Sequence, residues 1–594
     1  MREPIRRAEA RIDDTWRLSD IFEDEAHWER AFAEAREALA LLPAFAGRLS
    51  ERAALAEALA RYFDVQRRVE ALVTYAAMLR DEDTAVARHQ ALADRAETLA
   101  TELNAAASFI APELTALAPE RLAELAREAT LRDYDMYLRE LERGRAHTLS
   151  AAEEKLVALA GDMSSSARTV YELLTSADMS FPSIEGPDGA PIQITQGNYV
   201  PTLMTRDRRV REDAYRAYYG VYRRFASTIP AAYAGAVKAS QFYAKVRGFV
   251  STREAALFAD NLPLSVYDNL IDAVHRHLGA LNRLLERNAR LIGLDRLSMW
   301  DVYVPAAQNF ALDLKFDEAY DLIVECLAPL GADYQAVLRR ARDERWIDRY
   351  ENTGKHPGAY AWGTYDSHPY VLLNYHENLD SLLTVAHEMG HAMHTYLSGK
   401  TQPYPKAGYS MFAAEVASTV NEVLVLLELM ERYPEREALG CLLYHLLDGY
   451  RTTLFRQAMF AEFERDAHAM AEAGEALTLD NLNALYKRLG ETYLPAVEQG
   501  DDAAYEWMRI PHFYRPFYVF VYATGFSAAT AIASKIRSEG ESAARRYREF
   551  LSAGSSLYPL DALKLAGIDM ASPEPVERAL ELFEQLLERY EQVT

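Results

Sequence analysis

The stretch Leu382-Leu383-Thr384-Val385-Ala386-His387-Glu388-Met389-Gly390-His391 decides how this chain is read. Its last five residues form an HExxH pattern behind a short apolar run. On an α-helix, residues four apart stand about 40° apart around the axis and roughly 6 Å apart along it, so both imidazoles can reach one ion. Zn²⁺ takes neutral imidazole nitrogens and keeps a coordination position for water when the protein supplies only three ligands. Glu388 directly follows the first histidine, where its carboxylate can take a proton from water and later pass it to a leaving amine. A chance match on an ordinary helix is the competing reading, and the neighbouring sequence argues against it.

Gly390 sits inside a helical pattern, where glycine costs about 1 kcal/mol relative to alanine. A residue without a side chain there implies that another backbone passes close to this helix. The helical pattern runs on to Leu397 and is expected to break in Ser398-Gly399-Lys400-Thr401-Gln402-Pro403-Tyr404-Pro405. A second helix is expected from about Met411 to Met430, carrying Glu415 and Glu422 seven residues apart on one face. A helix, a loop and a second helix bearing a carboxylate is the arrangement that gives His₂Glu coordination. Glu415 is the preferred third ligand, level with the metal if the helices pack antiparallel through Gly390. Glu422 is two turns further on and fits a role accepting an imidazole N–H. His394 shares a face with both histidines but lies about 4.5 Å beyond His391 along the axis. It reads as a neighbour of the ligands or a lining of the cleft, and both it and Glu422 stay open as ligands. The near miss His376-Glu377-Asn378-Leu379-Asp380 reads as a loop into the metal helix.

The 594 residues exceed what one core normally holds, yet no Gly/Ser- or Pro-rich linker divides them. A formal charge of −24 argues against nucleic acid and anionic membrane as partners, since both would repel it. Cys326 and Cys441 lie in apolar helical contexts and read as buried thiols, with no disulfide framework. Met1-Arg2-Glu3-Pro4-Ile5-Arg6-Arg7 has no apolar signal core and no run reaches the length of a membrane span, so a cytoplasmic protein is expected.

From about Glu23 to Thr175 the pattern is helical, with a capping box at Ser150-Ala151-Ala152-Glu153. This part reads as scaffold, a wall or lid. Phe181 to Ile194 reads as a β-hairpin turning at Pro187-Asp188-Gly189. A second non-helical patch spans Arg349 to Asn374. Its strand Pro369-Tyr370-Val371-Leu372-Leu373-Asn374-Tyr375 is either a structural strand or an edge that pairs with an extended peptide. Near the C-terminus, Ile510-Pro511-His512-Phe513-Tyr514-Arg515-Pro516-Phe517-Tyr518 leads into Tyr522-Ala523-Thr524-Gly525-Phe526-Ser527. Aromatic stripes are usually core, but peptide hydrolysis needs a donor near the developing oxyanion, and a tyrosine hydroxyl or imidazole would serve.

These segments together resemble the oligoendopeptidase F branch of the thimet oligopeptidase family of zinc peptidases. The resemblance rests on His387 to His394, Phe412-Ala413-Ala414-Glu415, the Pro511–Ser527 segment, Trp16-Arg17-Leu18-Ser19-Asp20-Ile21-Phe22 and Phe455-Arg456-Gln457-Ala458-Met459-Phe460-Ala461-Glu462-Phe463. It implies a mainly α fold: a large helical shell enclosing a deep channel, with a small β-sheet or hairpin element near the zinc helix. It implies one Zn²⁺ per chain on His387, His391 and Glu415, with Glu388 as general base. Transition-state donors would come from the region of His512, Tyr514 and Tyr518. Where many relatives have Pro-Ser-Gln after the ligand glutamate, this chain has Ala417-Ser418-Thr419 after Val416. The domains are expected at residues 1–200, helical and ending in the hairpin, and 201–594, catalytic. The activity expected is zinc-dependent cleavage of internal bonds in short unstructured oligopeptides. A zinc carboxypeptidase of similar fold and a non-catalytic peptide-binding relative are the alternatives.

Overall fold

The computed structural model describes residues 5–307 and 310–594; Met1–Pro4, the start of the N-terminal stretch quoted above, lie outside these. Helices dominate and the strands are short, so the fold is mainly α. The chain forms two compact units, each from three segments. The first comprises Met1–Thr148, Ala311–Glu428 and Ile532–Ile568, and the second Leu149–Phe310, Leu429–Ala531 and Asp569–Thr594. Each therefore draws on chain from both sides of residue 200.

In the first unit, α1 (Arg52–Glu82) buries Leu55, Leu59, Leu72 and Met78 among other apolar residues. It packs with the helices Glu25–Leu39 and Ala87–Ala107, and the indole N–H of fully buried Trp28 donates to the Leu72 carbonyl at 3.1 Å. Three short strands follow: β1 (Ile347–Asp348), β2 (Tyr360–Gly363) and β3 (Pro369–Leu372), in the order β1-β3-β2. β1 runs parallel to β3, with Ile347 opposite Val371. β2 runs antiparallel to it, from Tyr360 opposite Leu372 to Gly363 opposite Pro369. The stretch beginning at Pro369 is therefore not an edge. All four residues of β3 are buried, and an unbroken apolar run is what a strand covered on both sides requires. β3 is flanked by β1, beside which the Arg349 N–H donates to the Asp14 carbonyl and the Arg17 N–H to the Arg345 carbonyl, and by β2, which is left the freer edge. Asp348 anchors the sheet: Lys355 Nζ lies 2.7 Å from its Oδ1 and Arg7 lies 2.6 Å from its Oδ2, while Arg7 also meets Glu82 of α1 at 2.7 Å.

The metal helix α2 spans Leu379–Thr401, and the side chain of Asn378 caps it by accepting from the Ser381 N–H at 2.8 Å. The break expected from Ser398 comes later. Ser398 and Gly399 stay helical, and the helix ends where Gln402 turns extended before Pro403, as a residue preceding proline prefers. After a short turn of helix at Tyr404–Ala407, α3 runs over Met411–Arg432.

In the second unit, Ser150 forms its capping box with Glu153 at the head of the helix Ala151–Leu173. The hairpin pairs Ser183–Glu185 with Pro191–Gln193, and Gly189 takes the φ of +82° that its turn requires. Phe513 and Phe517 are buried at the entrance to the helix Phe520–Glu539. Both cysteines are buried thiols. Among the described residues no helix is long and apolar enough to cross a membrane.

Candidate metal centre

α2 and α3 meet backbone to backbone at Gly390. A Cβ on this residue would lie 2.5 Å from the Ala417 carbonyl oxygen and 2.6 Å from Ser418 Cα, so only glycine permits the approach. The costly residue inside the HExxH pattern thus brings the second helix close enough to contribute a ligand. The contact is tied on both sides: Asn421 Nδ2 donates to the Ala386 carbonyl at 3.0 Å, and the Tyr334 hydroxyl donates to Asn421 Oδ1 at 2.9 Å.

Glu415 Oε2 lies 3.4 Å from His387 Nε2 and 3.6 Å from His391 Nε2. One donor atom from each of these three residues lies within 4.8 Å of the others, a spacing that one tetrahedral ion bridges. Ser418 Oγ donates to Glu415 Oε2 at 3.1 Å and to the Glu415 carbonyl at 3.0 Å, orienting the carboxylate. On the far side of the His387 ring, Nδ1–H donates to Glu422 Oε1. Glu422 is thus an imidazole acceptor, the role its spacing indicated.

Burial works against the charge of His387, yet hydrogen bonds to Glu415 and then Glu422 hold its pKa well above the usual imidazole range. Burial likewise opposes the charge of Glu415, but its bonds to His387 and His391 hold it well below the usual carboxylate range. Glu388 is 7% exposed, and burial raises its pKa, partly offset by the neighbouring histidines. A carboxylate moved upward toward neutrality is suited to taking and returning a proton.

His394 does not join this group. It is buried, stacked on Tyr409 with ring centroids 3.6 Å apart, and packed near Phe550. It is packed beside the ligands and is not one of the converging group. Its helical angle was legible, but Tyr409 returns from beyond the loop to cover it. Burial, and then the proximity of His391, pushes its pKa down to about 3.

In the second unit His512 is exposed and faces Tyr518, their rings parallel with centroids 6.3 Å apart. Tyr522 completes the group, 5.8 Å from His512 and 5.3 Å from Tyr518. Arg515 lies over the Tyr518 ring at 3.9 Å. Desolvation, and then the Arg515 charge, lowers the His512 pKa. Tyr514 points elsewhere: its ring stacks on Tyr171 at 4.2 Å, and its hydroxyl reaches the Ile229 carbonyl at 3.5 Å. Ser418 and Asn421 are residues to which the sequence reading assigned no role. Only Ser418 left a signal, three residues beyond Glu415 on the same helix.

The profile of Peptidase family M3 matches residues 202–582, and that of Oligopeptidase F matches residues 113–181. Oligopeptidase PepF of Bacillus subtilis (strain 168) is 40% identical over 590 residues, covering 99% of this chain and 88% of the relative. An oligoendopeptidase F homolog of Lactococcus lactis subsp. lactis is 37% identical, covering 98% and 97%. A crystal structure of oligoendopeptidase-F from Enterococcus faecium superposes with a TM-score of 0.74 at 34% identity, covering 96% of this chain and 99% of that one.

Proposed function

Since the chain belongs to peptidase family M3, in its oligoendopeptidase F branch, and is a metalloendopeptidase acting on oligopeptides, we propose that its metal is zinc, one per chain, held by His387, His391 and Glu415. The observation that carries this is the convergence of two imidazole Nε2 atoms on one carboxylate oxygen beside a buried fourth residue, Glu388. The donor set of two imidazoles and one carboxylate suits zinc, which when bound would supply Lewis-acid polarisation.

Glu388 takes a proton from the attacking water and delivers it to the departing amine, and its raised pKa supports both halves of that exchange. Glu422 holds the His387 ring by its Nδ1–H and so presents Nε2 to the ion. His512 and Tyr518 are the proposed donors to the developing oxyanion; the grouping of His512, Tyr518 and Tyr522 favours Tyr518 over Tyr514, whose hydroxyl turns to the Ile229 carbonyl. The extended substrate backbone would pair with the freer edge, that of β2. On this reading residues 1–200 are scaffold and residues 201–594 carry the chemistry. Two cysteines that remain free, buried thiols support a cytoplasmic location.

One experiment tests this reading. A mid-length peptide is incubated with the protein, with the protein and a chelator, and with chelated protein resupplied with zinc, and the products are weighed by mass spectrometry. Internal cleavage, its loss and its return are expected, with a stable folded protein left intact because entry requires unfolding at about 5–15 kcal/mol. Release of single C-terminal residues would favour the carboxypeptidase, and binding without cleavage a non-catalytic relative.

A further inference from the structure

Within the first unit a cavity of about 910 Å³ opens along α2, over its stretch from Thr395 to Lys400. Thr395, one turn beyond His391, lines it, and Ala361 to Gly363 of β2 form a wall, so a peptide paired with that edge would lay side chains into it. Phe63, Tyr365, Tyr396 and Tyr404 give it aromatic faces.

Glu70 of α1 is the single carboxylate among the lining residues. It accepts a hydrogen bond from the Tyr404 hydroxyl at 2.7 Å. No cation lies within 4 Å of it among the described residues. Arg67, one turn earlier on the same helix, pairs instead with Asp366 at 2.9 Å. Lys400, the one cation in the lining, has its Nζ 5.7 Å from the centre of the Tyr396 ring. Burial, opposed by the Tyr404 bond and reinforced by Asp366, raises the Glu70 pKa, the mark of a carboxylate short of countercharge. Such a group is costly to leave unpaired, and a cation delivered to it gains both the charge pairing and the faces of the surrounding rings.

We propose that this cavity is a substrate subsite for a cationic side chain, lysine or arginine, and that Glu70 is the residue that sets this preference. The proposal rests on the oligopeptidase reading above and adds to it a class of preferred substrate. The test uses N-acetylated peptides with one cleavage site, in which norleucine at successive flanking positions is replaced by lysine or by glutamate. Acetylation removes the α-ammonium as a rival cation. At one position lysine should exceed norleucine in kcat/KM by about tenfold, the scale of one charge-assisted contact. In Glu70→Gln, which keeps the shape and the Tyr404 contact, that ratio should fall to within about twofold. Fluorescence anisotropy with Glu388→Gln and with Glu388→Gln/Glu70→Gln should give the same ratios without turnover. A lysine preference that survives Glu70→Gln, or none at any position, would overturn the assignment. Failure to cleave any of the peptides would instead sink the peptidase reading itself.

Discussion

The Nδ1–H of His387 donates to Glu422, which leaves Nε2 as the ring nitrogen facing Glu415. The bond fixes the tautomer as well as the ring's rotation, and both must be right for a ligand to act. Replacing Glu422 with alanine should therefore weaken zinc binding by roughly 10–100-fold while the helices remain folded. Competition against a chromophoric chelator measures this directly. Unaltered affinity would remove Glu422 from the metal centre.

Gly390→Ala should damage the protein from the other side of the same contact. The added methyl group would meet the Ala417 carbonyl and Ser418 Cα, both backbone atoms that cannot swing away. Overpacking of this kind costs about 1–3 kcal/mol. Here it should also push Glu415 away from the histidines. The expected result is a lower Tm together with weaker zinc binding, and a variant with normal Tm and normal zinc affinity would show that the helices do not need this approach.

Glu388→Gln keeps the size of the side chain and removes its basicity. Zinc content and the circular dichroism spectrum should match the parent, and kcat should drop by roughly 10²–10⁴. Metal analysis alongside single-turnover kinetics separates loss of the base from loss of the ion. Retention of full turnover would end the proposed role.

The two tyrosines that share the C-terminal segment should respond differently. Tyr518→Phe removes a hydroxyl grouped with His512 and should lower kcat by roughly 10² with little change in KM, as for a donor that acts only in the transition state. Tyr514→Phe removes a hydroxyl turned toward Ile229 and should show mainly in Tm. Steady-state kinetics on both variants decide it, and the reverse pattern would return the role to Tyr514.

Acid should destabilise the protein partly through His468. This ring is buried, with Nδ1 2.9 Å from Thr252 Oγ1, and burial pushes its pKa from 6.5 down to about 3. The folded state keeps it neutral while the unfolded chain takes up a proton below pH 6.5. Its contribution is therefore intact above that pH and is lost as pH falls toward 3, by about 2 kcal/mol at pH 5. His468→Gln should lose less stability than the parent between pH 7 and pH 5 in urea unfolding.

Much of the metal centre was legible in the chain because helical geometry is local. Four residues place His391 under His387, seven place Glu422 on the face of Glu415, and a glycine where alanine would be cheaper signals a neighbour whose identity it does not give. The mainly α fold followed from the same periodicity. What the sequence could not supply was anything decided by which surface packs on which. His394 has the right helical angle for a ligand, but Tyr409 closes over it. The strand at Pro369 could be read as a structural strand or as an edge, and partners on both sides make it the centre of its sheet, flanked by β1 and β2. Tyr514 and Tyr518 are four residues apart in one aromatic run, and their rings turn to different neighbours. The sequence by itself determined the chemistry available, since residue type and short spacing suffice for that. Tertiary structure decided which groups face one another, because contacts between residues far apart in the chain depend on the packing of whole elements.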